Sequence, residues 1–269
     1  MIKEKIGIIG FGVVGKAIEK TMSKEYSISI YDKFLAEYSN FSALFDCKYI
    51  FISVPTPFDT EKYQVDHSAV ESSLVLLQKN HFKGTVLVKS TLPPGTIDAY
   101  SRYINLKLCY NPEFLRESKS PDEDFANQSI VVLGTHSEQI FEDCTNIYKK
   151  VLSTNTEYFR TTFVEAEIIK YSQNTTLASR VAVANTIYDL CSDFDANYNF
   201  IRKIAFDSFE ILGPHMVEVP GPDGKRGFGG KCLPKDIMGF SSVHNSELIK
   251  EIIRYNSTLR KDIPKNNEE

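Results

Sequence analysis

Six short runs, residues 5–10, 27–32, 49–54, 85–90, 106–110 and 129–134, are rich in β-branched residues and nearly continuous in their apolar character. A strand with one wet face alternates apolar and polar positions. An unbroken apolar run marks a strand covered on both faces. Helical periodicity fills the intervals and predicts helices over 12–23, 67–80 and 137–150. Strand and helix in alternation predict a parallel sheet with helices on both faces. The pattern changes at Thr161. Residues 163 to about 195 read as one long helix without Gly or Pro, behind Thr161-Thr162 as caps. Further helices are expected near 200–210, 234–243 and 247–261, with a Pro/Gly-rich loop over 213–231. Residues 264–269 are polar and expected to fray. The expected division is a sheet domain over 1–160 and a helical domain over 161–269. Ile168, Ile169, Leu177, Val181, Val183, Ile187 and Leu190 put apolar groups on more than one face of the long helix. Such a helix needs cover, so a homodimer packed through it is expected.

Composition narrows the functions. The 269 residues are 42% hydrophobic and 25% charged, ordinary values for a globular protein. A net charge of −4 argues against a broad nucleic-acid surface, so an anionic ligand must be met by helix N-termini, glycine loops and single cations. Cys47, Cys109, Cys144, Cys191 and Cys232 are odd in number and lack CxxC or zinc spacing, which predicts neither disulfides nor metal and suits a reducing compartment. Met1–Lys5 leads straight into a strand, and no apolar run approaches the ~20 residues of a membrane span. A cytoplasmic location without membrane partners is expected.

Gly10-Phe11-Gly12-Val13-Val14-Gly15 is a G-x-G-x-x-G that follows the first strand and opens a helix. Asp32, at the end of the second strand, has about the spacing of a ribose-binding acid. Together they predict a Rossmann-like, doubly wound parallel sheet. Gly10, Gly12, Val14 and Gly15 would admit a pyrophosphate to the helix N-terminus. Asp32 would accept bonds from ribose hydroxyls and repel a 2′-phosphate, favouring NAD over NADP, although neighbouring Lys33 works the other way.

Gly227-Phe228-Gly229-Gly230-Lys231-Cys232-Leu233-Pro234-Lys235-Asp236 places a cysteine after a flexible loop, with Pro at a helix start. A helix N-terminus there can activate a thiol. This string resembles the catalytic-cysteine signature of UDP-glucose 6-dehydrogenases and their relatives. Ser53-Val54-Pro55-Thr56-Pro57 and Lys89-Ser90-Thr91-Leu92-Pro93-Pro94-Gly95 resemble that family's cofactor-side loops. Asn111-Pro112-Glu113-Phe114-Leu115-Arg116-Glu117-Ser118 resembles its substrate loop, and residues 165–174 its central-helix motif with Lys170 and Asn174. The resemblance implies a helical central and dimerisation domain and NAD-dependent, four-electron oxidation of a sugar C6 alcohol to the uronic acid. Cys232 would hold first a thiohemiacetal and then a thioester. Lys170 would stabilise oxyanions with Asn174 assisting, and Asp236 would move protons with Thr91 and a water. Glu117 would serve hydrolysis and the nicotinamide. Thr56, Thr91, Glu117 and Lys235 would lie by the cofactor. Glu113, Phe114, Leu115, Arg116, Glu117, Lys170, Asn174 and Gly229 would hold substrate.

Two departures stand out. Full-length relatives continue into a second domain that helps bind the nucleotide, whereas this sequence stops at Glu269. A partner protein or another mode of covering the nucleotide is then expected. Relatives also carry an Arg upstream of the cysteine loop, where this chain has Ile211-Leu212-Gly213-Pro214-His215-Met216, leaving Lys225 and Arg226 as the nearest cations. Two other functions stay open: a dehydrogenase of a small β-hydroxy acid, which needs the Lys and Asn but no nucleophilic Cys, and a catalytically silent NAD-binding subunit.

Overall fold

The computed structural model describes residues 3–114, 121–209, 212–213 and 215–261. They divide into two compact units, Met1–Glu61 with Val65–Lys170, and Lys62–Gln64 with Tyr171–Glu269.

The first unit is built on a seven-stranded sheet: β1 (Lys5–Ile9), β2 (Ser27–Tyr31), β3 (Tyr49–Ile52), β6 (Thr85–Val88), β7 (Lys107–Tyr110), β8 (Ile130–Gly134) and β9 (Glu157–Thr161), in the order β2-β1-β3-β6-β7-β8-β9. A separate two-stranded ribbon is formed by β4 (Phe58–Asp59) and β5 (Gln64–Val65). Every pairing in the large sheet is parallel except β7 with β8, which meet antiparallel at Tyr110 and Gly134. The crossover helices are α1 (Val13–Met22), α2 (Ser68–Lys79), α3 (Thr96–Ser101), α4 (Pro121–Ala126) and α5 (Glu138–Lys149). Strand residues of alternate parity feed two cores. Ile50, Ile52, Val86, Val88 and Tyr110 pack in one, while Ile6, Ile8, Phe51, Leu87 and Cys109 pack with Ala17, Ile18 and Ile147 in the other. This double cover is why the inner strand runs such as Tyr49–Ile52 and Thr85–Val88 are nearly apolar. The sheet order runs outward on both sides of β1, and in such sheets ligands bind at the carboxyl end of that switch point.

The strand β9 lies outside the six apolar runs. It is an edge strand whose Glu157, Phe159 and Arg160 are exposed, so it carries little apolar signature.

The long helix is α6 (Phe163–Asp193). Thr162 and Glu165 close its start reciprocally. The Glu165 carboxylate accepts from Thr162 N at 2.8 Å, and Thr162 Oγ1 accepts from Glu165 N at 3.3 Å. In the second unit follow α7 (Tyr198–Arg202), α8 (Leu233–Val243) and α9 (Glu247–Lys261). The helix expected over 200–210 is α7 running into a π-type turn, Lys203–Asp207. Ala178, Val181, Phe228, Ile237 and Ile249 form one core of this unit, and Ala184, Cys191, Tyr198, Val217 and Val219 another.

Candidate functional site

At the end of β1, Gly10 turns with φ 91°, and a Cβ there would stand 2.8 Å from the Ser53 carbonyl oxygen. Only glycine fits that turn. A Cβ at Gly12, by contrast, would meet no atom within 4 Å. Helix α1 then starts with no side chain capping it, so its first N–H groups face outward unclaimed by a cap. Val14 packs onto the core beneath, and Gly15 closes tightly on the Gly10 carbonyl. Just past β2, the half-buried Asp32 accepts from Phe11 N through Oδ2 at 2.7 Å and from Phe34 N through Oδ1 at 2.8 Å. The carboxylate thus braces the glycine turn and is held in orientation, with lone pairs left for hydroxyl donors. Open glycine, uncapped helix and oriented acid fit a pyrophosphate and an unphosphorylated ribose.

The loops after β3 and β6 are sewn together beside this turn. Thr56 Oγ1 donates to the Thr91 carbonyl at 2.9 Å, and Ser90 Oγ to the Val54 carbonyl at 2.7 Å. Buried Glu167 of α6 accepts from Gly95 N at 2.6 Å and Ile97 N at 3.0 Å, tying the loop beyond Thr91 to the helix that carries Lys170. Burial pushes the Glu167 carboxyl up to about 7, against the lowering effect of those backbone donors.

Glu113 forms a buried ion pair with Lys89 at 2.9 Å, and Lys89 also donates to Asn111 Oδ1 at 3.3 Å. Lys89 lies 5.4 Å from the Phe125 ring centroid, so Glu113 is the carboxylate that compensates a buried ammonium. Phe114 presents its ring 5.4 Å from Lys170 Nζ. Leu115, Arg116 and Glu117 lie outside the described residues.

Lys170 and, one turn along α6, Asn174 are both buried, unlike an ordinary solvated i,i+4 pair. In the second unit the Asn174 amide donates to Asp236 Oδ2, and Lys235 Nζ stands 2.8 Å from Asp236 Oδ1. Asp236 itself is buried on the first turn of α8. Its backbone N–H donates to the Cys232 carbonyl at 2.9 Å, which starts the helix at the cysteine. Cys232 is exposed at this N-terminus, where the helix dipole favours a thiolate. Cys47, Cys109, Cys144 and Cys191 are buried. Burial raises the Cys47 thiol, and the bond with Cys109 together with burial raises Cys144. Gly229 is half-buried in the loop before Cys232.

Arg226 is not free to replace an upstream substrate cation. It pairs with Asp189 at 2.5 Å, donates to Asn185 Oδ1 at 3.4 Å and lies 5.2 Å from the Tyr188 ring centroid. The residues missed from sequence are Asn185, Asn256 and Arg260, which bond to the backbone of the cysteine loop. One signal pointed to Asn256. It stands four residues after Ile252 and seven after Ile249, on the apolar face of α9. Among the described residues no group of His, Cys, Asp and Glu could hold a metal, and no helix is long and apolar enough to cross a membrane.

The NAD binding domain of the UDP-glucose/GDP-mannose dehydrogenase family matches residues 16–152, and the central domain of the same family matches 164–258. The chain belongs to the UDP-glucose/GDP-mannose dehydrogenase family. UDP-glucose 6-dehydrogenase of Rickettsia prowazekii (strain Madrid E) is 31% identical over 236 residues, covering 83% of this chain and 52% of that protein. The structure of a UDP-glucose dehydrogenase from Pyrobaculum islandicum matches with a TM-score of 0.80 at 22% identity, over 95% of this chain and 68% of that one. A UDP-D-ManNAc dehydrogenase from Pyrococcus horikoshii also matches with a TM-score of 0.80, at 19% identity, over 96% and 69%. Both structures share the fold. The chain spans about half the length of the curated relatives it matches. Its first unit carries the family's NAD binding domain, and NAD is the cofactor that this membership implies.

Proposed function

We propose that this dehydrogenase-family chain oxidises the C6 primary alcohol of a nucleotide sugar to the uronic acid, with UDP-glucose as first candidate substrate and Cys232 as nucleophile. The observation that carries this reading is Cys232, the one exposed thiol among five cysteines, set at the N-terminus of α8 one turn before buried Asp236 and its partner Asn174.

Gly10, Gly12, Gly15 and the start of α1 would hold the pyrophosphate of NAD, and Asp32 the adenosine ribose. Bound NAD⁺ supplies the two-electron acceptor, one molecule for each oxidation. Lys170 places a positive charge where the substrate oxygen gains negative charge as its proton leaves. The Cys232 sulfur then adds to the aldehyde carbon, and the resulting thiohemiacetal gives a thioester at the second oxidation. Water attacks the thioester carbonyl, and the carbon–sulfur bond breaks to release the acid and restore the thiol. Asp236, oriented by Asn174 and Lys235, is the carboxylate proposed to move protons with Thr91, and Glu117 the one proposed for hydrolysis. Glu113 and Phe114 would line the substrate side through a loop fixed by Lys89.

NADH formation measured with UDP-glucose, UDP-N-acetylmannosamine, GDP-mannose and simple β-hydroxy acids tests the proposal. Two NADH per uronic acid from one nucleotide sugar is the expected result. Turnover of hydroxy acids alone would replace it with the small-substrate reading, and NAD⁺ binding with no turnover across the panel would replace it with a silent subunit.

A further inference from the structure

The cysteine loop is held from behind by α9. Phe228 lies four residues before Cys232, and its backbone is bonded on both sides by one side chain. Asn256 Oδ1 accepts from Phe228 N at 2.7 Å while Asn256 Nδ2 donates to the Phe228 carbonyl at 3.0 Å. The amide of Asn256 thus bonds as a neighbouring peptide unit would in a sheet. Arg260 Nε adds a bond to the same carbonyl at 3.1 Å and is itself anchored to Asp223 at 2.8 Å. From α6, buried Asn185 accepts from Gly227 N at 3.2 Å. The glycines are shaped to these contacts. Gly227 has φ 74°, and a Cβ there would collide with Asn256 Oδ1, as one on Gly229 would with the Arg260 guanidinium. The Phe228 ring is buried in the core with Ala178, Ile237 and Ile249.

We infer that Asn256 is a positioning residue for Cys232: its two-sided grip on Phe228 fixes the 227–231 loop and so the place where α8 and its thiol begin. This rests on the chemistry proposed above for Cys232. Asn256 does not touch the reacting atoms. It acts through the loop, and its loss should appear in kcat rather than in the cofactor's KM, because the proposed pyrophosphate and ribose contacts of NAD, Gly10, Gly12, Gly15 and Asp32, lie in the first unit.

The test uses Asn256→Ala and Asn256→Asp in the full chain, assayed well below their melting temperatures. Asn256→Ala removes both bonds and is expected to lower kcat by about tenfold to a hundredfold, as small misplacements of reacting groups do, with KM for NAD⁺ unchanged. Asn256→Asp keeps the acceptor for Phe228 N but sets a carboxylate against the Phe228 carbonyl. Its protonated form regains an O–H donor, so its kcat relative to wild type should recover as pH falls towards about 5. Hydrogen exchange of the 227–231 amides is read on the same proteins and should accelerate in Asn256→Ala more than elsewhere in the chain. An unchanged kcat overturns the inference whatever happens to the melting temperature. Should wild type oxidise no nucleotide sugar, the functional reading fails by itself. Loop exchange then decides the positioning role: faster exchange at 227–231 supports it, and unchanged exchange overturns it.

Discussion

Cys232 and the four buried cysteines should separate in two independent experiments. Limiting iodoacetamide followed by peptide mapping should label Cys232 first, since Cys47, Cys109, Cys144 and Cys191 are buried, burial raises the Cys47 thiol, and the bond with Cys109 together with burial raises Cys144. Cys232→Ser replaces the thiol by a hydroxyl that is far less ionised near neutral pH. Turnover to the acid should fall by at least ~10²–10³ while NAD⁺ binding persists, and full turnover in this variant would remove the thioester mechanism. Asp32 sets the other residue-scale test. Its carboxylate is oriented by Phe11 N and Phe34 N, so a 2′-phosphate would meet a fixed negative charge. Titration calorimetry should show NAD⁺ bound more tightly than NADP⁺, with the difference narrowed in Asp32→Ala. The same substitution should also loosen the glycine turn, because Asp32 braces it.

At the scale of elements, the contact between α6 and the loop beyond Thr91 makes stability depend on pH. Glu167 is buried, and its carboxyl is raised from 4.5 to about 7. An acid with a raised pKa binds its proton more tightly in the fold than in the unfolded chain. Its contribution is therefore complete below about pH 4.5, declines as pH rises, and is lost above about pH 7. The loss is on the order of 3 kcal/mol, by the usual conversion of pKa shift to free energy. Urea midpoints measured across pH 4.5–8 should fall more steeply for wild type than for Glu167→Gln, and parallel curves would exclude Glu167 as the titrating group. Neither this clamp nor the partner that Asn256 grips was legible in the sequence. Both are bonds from a side chain to a distant backbone, and although the place of Asn256 on an apolar helix face marks it as inward-facing, no local pattern names what it bonds to. The five inner strands were legible because cover on both faces makes them largely apolar, as Tyr49–Ile52 and Thr85–Val88 show, and the edge strand β2 because Ile28 and Ile30 alternate with Ser27 and Ser29. Strand β9 was not, since an edge position lets Glu157 and Arg160 stay in water. The glycine turn and the cysteine loop could be read because their chemistry is packed into consecutive residues. The antiparallel pairing of β7 with β8 rests on chain path alone, which residue patterns do not record.

At the scale of the whole molecule, α6 resolves the question raised by its many apolar positions. Phe163, Ala166, Tyr171, Ala178, Val181, Ala184 and Cys191 are buried within the chain. Ile168 at 49%, Ile169 at 36%, Val183 at 55% and Leu190 at 55% remain exposed. At 3.6 residues per turn these four fall within an arc of about 100°, so they share one face of the helix as two apolar patches, with Ser172, Thr176 and Ser179 between them. Phe194, 76% exposed, extends the patch of Val183 and Leu190 past the helix end. Apolar patches on one face of a long helix are suited to two-fold packing against a second copy. We therefore predict a homodimer in which α6 packs on the partner's α6. Sedimentation velocity at micromolar concentration should report a dimer for wild type. Val183→Glu with Leu190→Glu should shift it to monomer with its circular dichroism unchanged, because two carboxylates per chain would be buried without partners at the interface. A wild-type monomer would refute the assembly. A dimer that survives both substitutions would move the interface to another surface and leave the exposed α6 patches without this explanation.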